Sequence, residues 1–232
     1  MDQLDIFVLA VYLITVAYIL SKAKDSLEQA KASDQKTRIS LNQEQLSQEL
    51  ERRGLSNHIA IHLNFDGSYF LSDDPSADKQ PKTLSLSVIN NSNDAIYIDW
   101  DRSSLTDLRG RSRRVIRLVS YKSLDLSYPQ VFSTVGPGQT LSEKITAEDL
   151  LERNAETETL EATKPLIDIQ GLKKSNSGLY NDFMAEKKPL TYYLCLVLRM
   201  PDPADPVRGD RLYNVRCEIQ VHKLPWTIVL PW

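Results

Sequence analysis

The run Leu-Asp-Ile-Phe-Val-Leu-Ala-Val-Tyr-Leu-Ile-Thr-Val-Ala-Tyr-Ile-Leu, from Leu4 to Leu20, carries one charge, Asp5, near its outer end. A helix built from it is apolar on every side, because Tyr12, Thr15 and Tyr18 mark no continuous polar stripe. Such a helix must be buried, in lipid or in a protein core. Roughly 17 residues at about 1.5 Å each reach about 25 Å, short of a hydrocarbon core of about 30 Å, but Lys22 and Lys24 can snorkel across the difference. A cleaved signal peptide needs a basic start and a small-residue cleavage site, whereas this start carries Asp2 and Asp5 and leads into charged sequence. The run predicts a single-pass transmembrane anchor over residues 1–24, with the lipid bilayer as its partner.

No Lys or Arg precedes the run, and Lys22, Lys24, Lys31, Lys36 and Arg38 follow it. The positive-inside rule then puts the bulk of the chain in the cytoplasm; the alternative puts it on the outer or lumenal side. In the first case Cys195 and Cys217 stay reduced and the sequon Asn90-Asn91-Ser92 has no glycosylation meaning. In the second, a cross-strand disulfide stays open, since both cysteines fall in strand-like segments.

Residues 21–53 are rich in Lys, Glu, Gln, Ala and Leu without Gly or Pro, which reads as a helical spacer over 25–57. Asn42 with Gln45 forms a capping pair for a helix from Gln43 to Arg53, and Gly54 stops it. Leu20, Leu27 and Leu41 share a heptad frame, but Asp34 and the later leucines leave it, so no coiled coil is expected.

From His58 the period changes to two. Ile59, Ile61, Leu63 and Phe65 alternate with polar or small residues, as do Leu84, Leu86 and Val88, then Ile96, Ile98 and Trp100, and most clearly Tyr213, Val215, Cys217, Ile219 and Val221. Further strands are expected at Val115 to Tyr121, Val131 to Val135, Leu141 to Ile145 and Tyr192 to Met200, the last apolar on both faces and so central. Thr146 is expected to cap a short helix running to Asn154. The chain is thus read as mainly β: an antiparallel β-sandwich over 58–232, immunoglobulin-like around Trp100, elaborated between Thr146 and Lys188.

The anchor together with Asn64-Phe65-Asp66-Gly67-Ser68-Tyr69, Ile98-Asp99-Trp100-Asp101, Gly110-Arg111-Ser112-Arg113-Arg114-Val115 and Leu224-Pro225-Trp226 resembles uncharacterised cyanobacterial membrane-anchored proteins. The resemblance implies a plasma or thylakoid membrane and carries no active site.

The most unusual polar feature is the cluster Arg109, Arg111, Arg113, Arg114 and Arg117. It suits an anionic lipid surface or an acidic protein face; equally, it suits a solvated hairpin balanced by Asp99, Asp101 and Asp107. The apolar end of the chain, with Trp226 and Trp232, reads as a packed final strand or as a docking tail. His58 and His62 lie too far apart on one strand to share a metal, and His222 points outward. Asp99-Trp100-Asp101-Arg102-Ser103 starts like a calcium loop but has Ser104 where the sixth-position glycine belongs.

No nucleophile elbow, phosphate loop, dinucleotide fingerprint or zinc-protease motif occurs. A net charge of −3 argues against nucleic acid as the partner. The expected function is a membrane-tethered, noncatalytic interaction or assembly module without a cofactor, acting on a protein partner. The alternative is an enzyme whose site gathers scattered acidic and aromatic residues of the sandwich.

Overall fold

The computed structural model describes residues 7, 9–22, 36–65, 68–71, 80–118, 126, 128–157, 159–201 and 210–224. The first element is a helix, α1 (residues 9–22), whose apolar side chains face outward: Leu13, Ile14, Tyr18 and Ile19 are between 57 and 69 % exposed. Among the described residues no helix is long and apolar enough to cross a membrane. The expected single-pass transmembrane anchor is corrected accordingly. Residues 1–6, 8, 23 and 24 of the expected anchor lie outside the described residues.

Of the expected helical spacer over 25–57, residues 25–35 lie outside the described residues, and from residue 36 the chain already belongs to the β-domain. Lys36–Leu41 is a strand, β1, with Thr37 and Ile39 buried, and it pairs along its length with the last strand of the sheet. The alternation Thr37, Ile39, Leu41 is a period-two signal that the helix-forming composition of its neighbours conceals. Asn42 then starts α2 (Gln43–Arg52): its Oδ1 accepts from the Gln45 backbone N–H at 3.1 Å, and Gly54 at φ 68° follows the helix end. The capping pair is one-sided, because the Asn42 N–H donates to Glu218 O instead and Gln45 Oε1 is buried without a partner. α2 lays Leu46 and Leu50 on the sheet.

The remaining strands are β2 (Ile59–Asn64), β3 (Tyr69–Phe70), β4 (Leu84–Asn90), β5 (Ile96–Thr106), β6 (Ser112–Leu118), β7 (Ser133–Val135), β8 (Thr140–Ala147), β11 (Leu190–Pro201) and β12 (Asp210–Lys223). They hydrogen-bond in the order β2-β4-β8-β6-β5-β11-β12-β1-β3, with β7 beside β5, and every pairing is antiparallel. β1 comes back near β2, so this single sheet nearly closes into a barrel.

The expected immunoglobulin-like sandwich is therefore also corrected, and β6 shows why. Its first half, Ser112 to Arg114, pairs with β5, and its second half, Val115 to Leu118, pairs with β8. One strand thus carries the ladder across what would be the gap between two sheets. Strand periodicity cannot separate the two architectures, since both alternate inward and outward residues.

β5 also bends. Its partner register on β11 runs Asp99 to Val197 and resumes at Ser104 to Cys195, so an irregular stretch of β5 bulges between. Ser103 fills it: Oγ donates to Asp99 O at 2.6 Å and accepts from Val197 N–H at 3.0 Å. A bulge of this kind increases local twist and curvature, which helps a sheet close.

Between β8 and β11 the expected elaboration is present: a 3-10 turn (Glu148–Leu150), the hairpin β9 (Leu151–Arg153) and β10 (Leu160–Ala162), then α3 (Ile169–Ser175) and α4 (Ser177–Met184). Thr146 does not cap the turn. Its hydroxyl donates to Lys82 O at 2.9 Å, so it ties β8 to the segment before β4.

Asn90, at the end of β4, is fully buried and fully used. Its Nδ2 donates to Asp94 O and Val135 O at 2.7 and 2.8 Å, and its Oδ1 accepts from Ser92 N–H and Oγ. One amide side chain thus shapes the β4–β5 turn and fastens it to β7, and no glycan could be carried at that nitrogen in the folded chain. Replacing Asn90 with Ala should lower stability in chemical denaturation by about 2–3 kcal/mol, because it orphans several buried groups at once. A Ser92→Ala change removes a single hydroxyl and should cost less.

Candidate functional site

The arginine cluster spans the β5–β6 hairpin and the strand that follows, and period two divides its members between two environments. At the turn, Gly110 takes φ 79° and Asp107 gathers the loop: Oδ1 accepts from Arg109 N–H at 2.8 Å and Arg111 N–H at 2.9 Å, and Oδ2 accepts from Arg111 Nε at 2.7 Å. Burial disfavours the Asp107 carboxylate, but these hydrogen bonds together outweigh it and hold the carboxyl below its ordinary range. The Arg109 guanidinium has no partner among the described residues.

On β6, Arg113, Val115 and Arg117 share the face that looks into the barrel; Arg113 stands opposite the fully buried Leu105. The Arg113 side chain is only 9 % exposed. It donates from Nη2 to Leu166 O at 3.1 Å, and Nη1 lies 3.6 Å from Asp149 Oδ1. Arg117 donates from Nη1 to Ser133 Oγ at 2.8 Å and to Glu143 at 3.2 Å. Ser133 Oγ also accepts from Trp100 Nε1 at 2.9 Å, so the buried indole, the hydroxyl, the guanidinium and the carboxylate form one chain of contacts.

Arg114 faces the other way. Nε and Nη2 both donate to Asp101 Oδ1, Nη1 donates to Leu126 O, and Glu148 lies 3.5 Å away. Burial works against the Asp101 carboxylate, yet hydrogen bonds from Arg114 and from Gln130 together lower its pKa. Asp101 thus stands beside an arginine as expected. Asp99 does not stay exposed: the bulge buries it, and Arg199 Nη2 reaches its Oδ2 at 2.7 Å. Of the cluster, then, Arg111, Arg113, Arg114 and Arg117 reach acceptors within the chain.

Arg109, Arg111 and Arg113 also line one cleft of about 450 Å³, closed on its far side by the insertion segment and α3. Leu108, Leu150, Ile167 and Leu172 supply apolar wall, Lys164 and Asp168 sit on the insertion side, and Tyr192 of β11 contributes from the barrel. Tyr192 Oη and Arg113 Nε are both buried without a hydrogen-bond partner among the described residues. Sequence reasoning missed Tyr192 because it sits in a strand apolar on both faces, where an aromatic ring reads as core; nothing local marks its hydroxyl. Lys164 and Asp168 were missed because they come from an insertion without periodicity.

Trp226 and Trp232 lie outside the described residues; Leu224, just before them, is buried and its N–H donates to Lys36 O. His58, His62 and His222 are exposed. The cysteines are free thiols, and the register sets Leu194, next to Cys195, opposite Cys217, so the two thiols point to opposite faces of the sheet. Among the described residues no group of three or more His, Cys, Asp or Glu could hold a metal ion.

Replacing Arg114 with Ser should lower stability at neutral pH by about 1–2 kcal/mol, since it removes charge-assisted hydrogen bonds to a half-buried carboxylate. A depressed carboxyl stabilises the fold above its ordinary value near about 4 and loses that contribution as pH falls through its folded value. The gap between the two proteins should therefore narrow in urea titrations run below about pH 4. Arg109→Ser should leave the midpoint unchanged at every pH.

No protein-family model matches the chain, and no curated protein matches it. Among solved structures it is similar to "X-ray structure of Northeast Structural Genomics Consortium target SoR45", with 11 % identity over 77 % of this chain and 96 % of that one, and a TM-score of 0.30. A likeness that distant carries no argument about what the protein does.

Proposed function

We propose that the protein is a noncatalytic interaction module, attached to a protein partner through α1 and presenting the barrel from that attachment. The observation that carries this reading is the exposure of α1: Tyr12, Leu13, Ile14, Tyr18, Ile19 and Leu20 all turn more than half of their surface to solvent. At about 25 cal/mol per Å² of apolar surface, leaving such a helix uncovered forfeits several kcal/mol, which a groove on another protein recovers. An apolar helix seated in such a groove is a recurrent mode of recognition.

The polar groups of the barrel support the noncatalytic part. Asp99, Asp101, Asp107 and Glu143 are each engaged by an arginine. Burial pushes the Cys217 thiol up to about 12, and burial outweighs the nearby Arg216 charge in raising Cys195, so neither thiol is the thiolate that nucleophilic chemistry uses. A site for general acid–base work holds titratable groups free to exchange protons; the hydrogen bonds to Asp101 and Asp107 outweigh burial and hold both carboxyls ionised.

The test is site-specific photo-crosslinking in the native cell, with a photoreactive residue placed at Ile14 of the full chain and, as a control, at Glu156 on the exposed β9–β10 hairpin. The proposal expects one discrete protein adduct from position 14 and none from 156. Adducts to lipid alone, or none at either position, would remove it.

A further inference from the structure

The cleft beside the β5–β6 hairpin contains hydrogen-bonding groups that are out of balance in one direction. Its carboxylates are already supplied with donors: Asp107 takes three from the hairpin, Asp168 accepts from the Gly171 N–H at 2.6 Å, and Asp149 lies beside Arg113. Arg111, Lys164 and the Arg113 terminal nitrogens also have acceptors, but three donors on its lining residues do not. Arg113 Nε–H and Tyr192 O–H are buried and unpartnered, and the Arg109 guanidinium at the mouth is free among the described residues. Buried polar groups in folded proteins are nearly always satisfied, so two such donors, on two residues that line one cleft, point to an acceptor that arrives from outside as the cleft wall opens slightly around it.

Tyr192 is suited to donate. Burial, and after it the nearby Tyr69, raise its pKa well above the ordinary value against the opposing charge of Arg113, so the phenol keeps its proton. The rest of the cleft restricts the ligand further. Leu108, Leu150, Ile167 and Leu172 offer an apolar wall, which suits a hydrocarbon body and gives nothing to a bare inorganic ion. Asp149 and Asp168 line the same cleft, where they repel a phosphate dianion more strongly than a monoanion.

We propose that this cleft binds a small organic monocarboxylate. Its oxygens accept from Arg113 Nε and Tyr192 Oη, Arg109 adds attraction at the mouth, and its apolar body lies on the leucine and isoleucine wall. The inference does not depend on what covers α1.

Calorimetric titration of the full chain with octanoate, with octanol and inorganic phosphate as comparators, tests it. One octanoate should bind per chain, about tenfold or more tighter than octanol, and phosphate should show no heat. Tyr192→Phe should leave the melting temperature of the ligand-free protein unchanged or raise it, since it removes an unpartnered hydroxyl, while weakening octanoate by about tenfold. Arg109→Ser should weaken octanoate at low salt and match the unaltered protein at high salt, where screening has removed the attraction. Equal binding of octanoate and octanol would leave only an apolar hollow, and phosphate binding would leave only an anion site. No octanoate heat at millimolar concentration, or a Tyr192→Phe protein that melts lower and binds as before, would mean that an internal partner such as an ordered water already satisfies the phenol. Any of these results overturns the proposal.

Discussion

A guanidinium turned toward the inside of a closing β-sheet must find acceptors there, and β6 turns two of them inward. Desolvating a charge without a partner costs several kcal/mol, a large share of the about 5–15 kcal/mol by which a domain of this kind is stable. The barrel meets the requirement differently for each. Arg117 draws on its neighbour strand, through Glu143 of β8, and on Ser133 of β7. Arg113 draws on the insertion, through Leu166 O and Asp149. The insertion is thus held against one end of the barrel by a buried charge, and Leu166 is fixed from its other side by its own N–H donating to Pro81 O at 2.8 Å.

The same strand decides the architecture. Because β6 pairs with β5 in its first half and β8 in its second, the sheet continues where a sandwich would divide. The bulge in β5 supplies curvature beside that junction, and Trp100, at the bulge, is linked through Ser133 to Arg117. Closure, the polar chain inside the barrel and the seating of the insertion are therefore mutually dependent, and the cleft forms where Arg113 leaves one nitrogen unused.

What could be read from the residues follows from the range of the forces involved. Local signals were legible: the Asn42 cap and Gly54 stop of α2, the alternation in β2, β4 and β12, the central place of β11, and the burial of Trp100. Barrel and sandwich share that alternation, so the choice between them rested on the double pairing of β6, a long-range fact. The strand at Lys36–Leu41 was concealed by helix-forming neighbours and is held by β12, which lies far along the chain. The arginines were visible as a cluster, and the inward face shared by Arg113, Val115 and Arg117 follows from period two. Their acceptors, Asp149, Leu166 O, Ser133 and Glu143, come from segments distant in sequence, as does Tyr192, and no local pattern joins them. The transmembrane reading of the apolar run rested on composition alone, whereas among the described residues no helix is long and apolar enough to cross a membrane.

Arg113 and Arg117 are inward-facing groups on which the barrel and its insertion depend. Guanidinium Nε–H exchange with water, followed residue by residue by nitrogen-15 NMR on the full chain, tests this directly. The Nε–H protons of Arg113 and Arg117 should exchange slowly and resonate away from the solvent-exposed average, while that of Arg109 exchanges rapidly. If all three exchange at the rate of a free side chain, the inward arginines are solvated, and the physical basis for both the closed sheet and the cleft is lost.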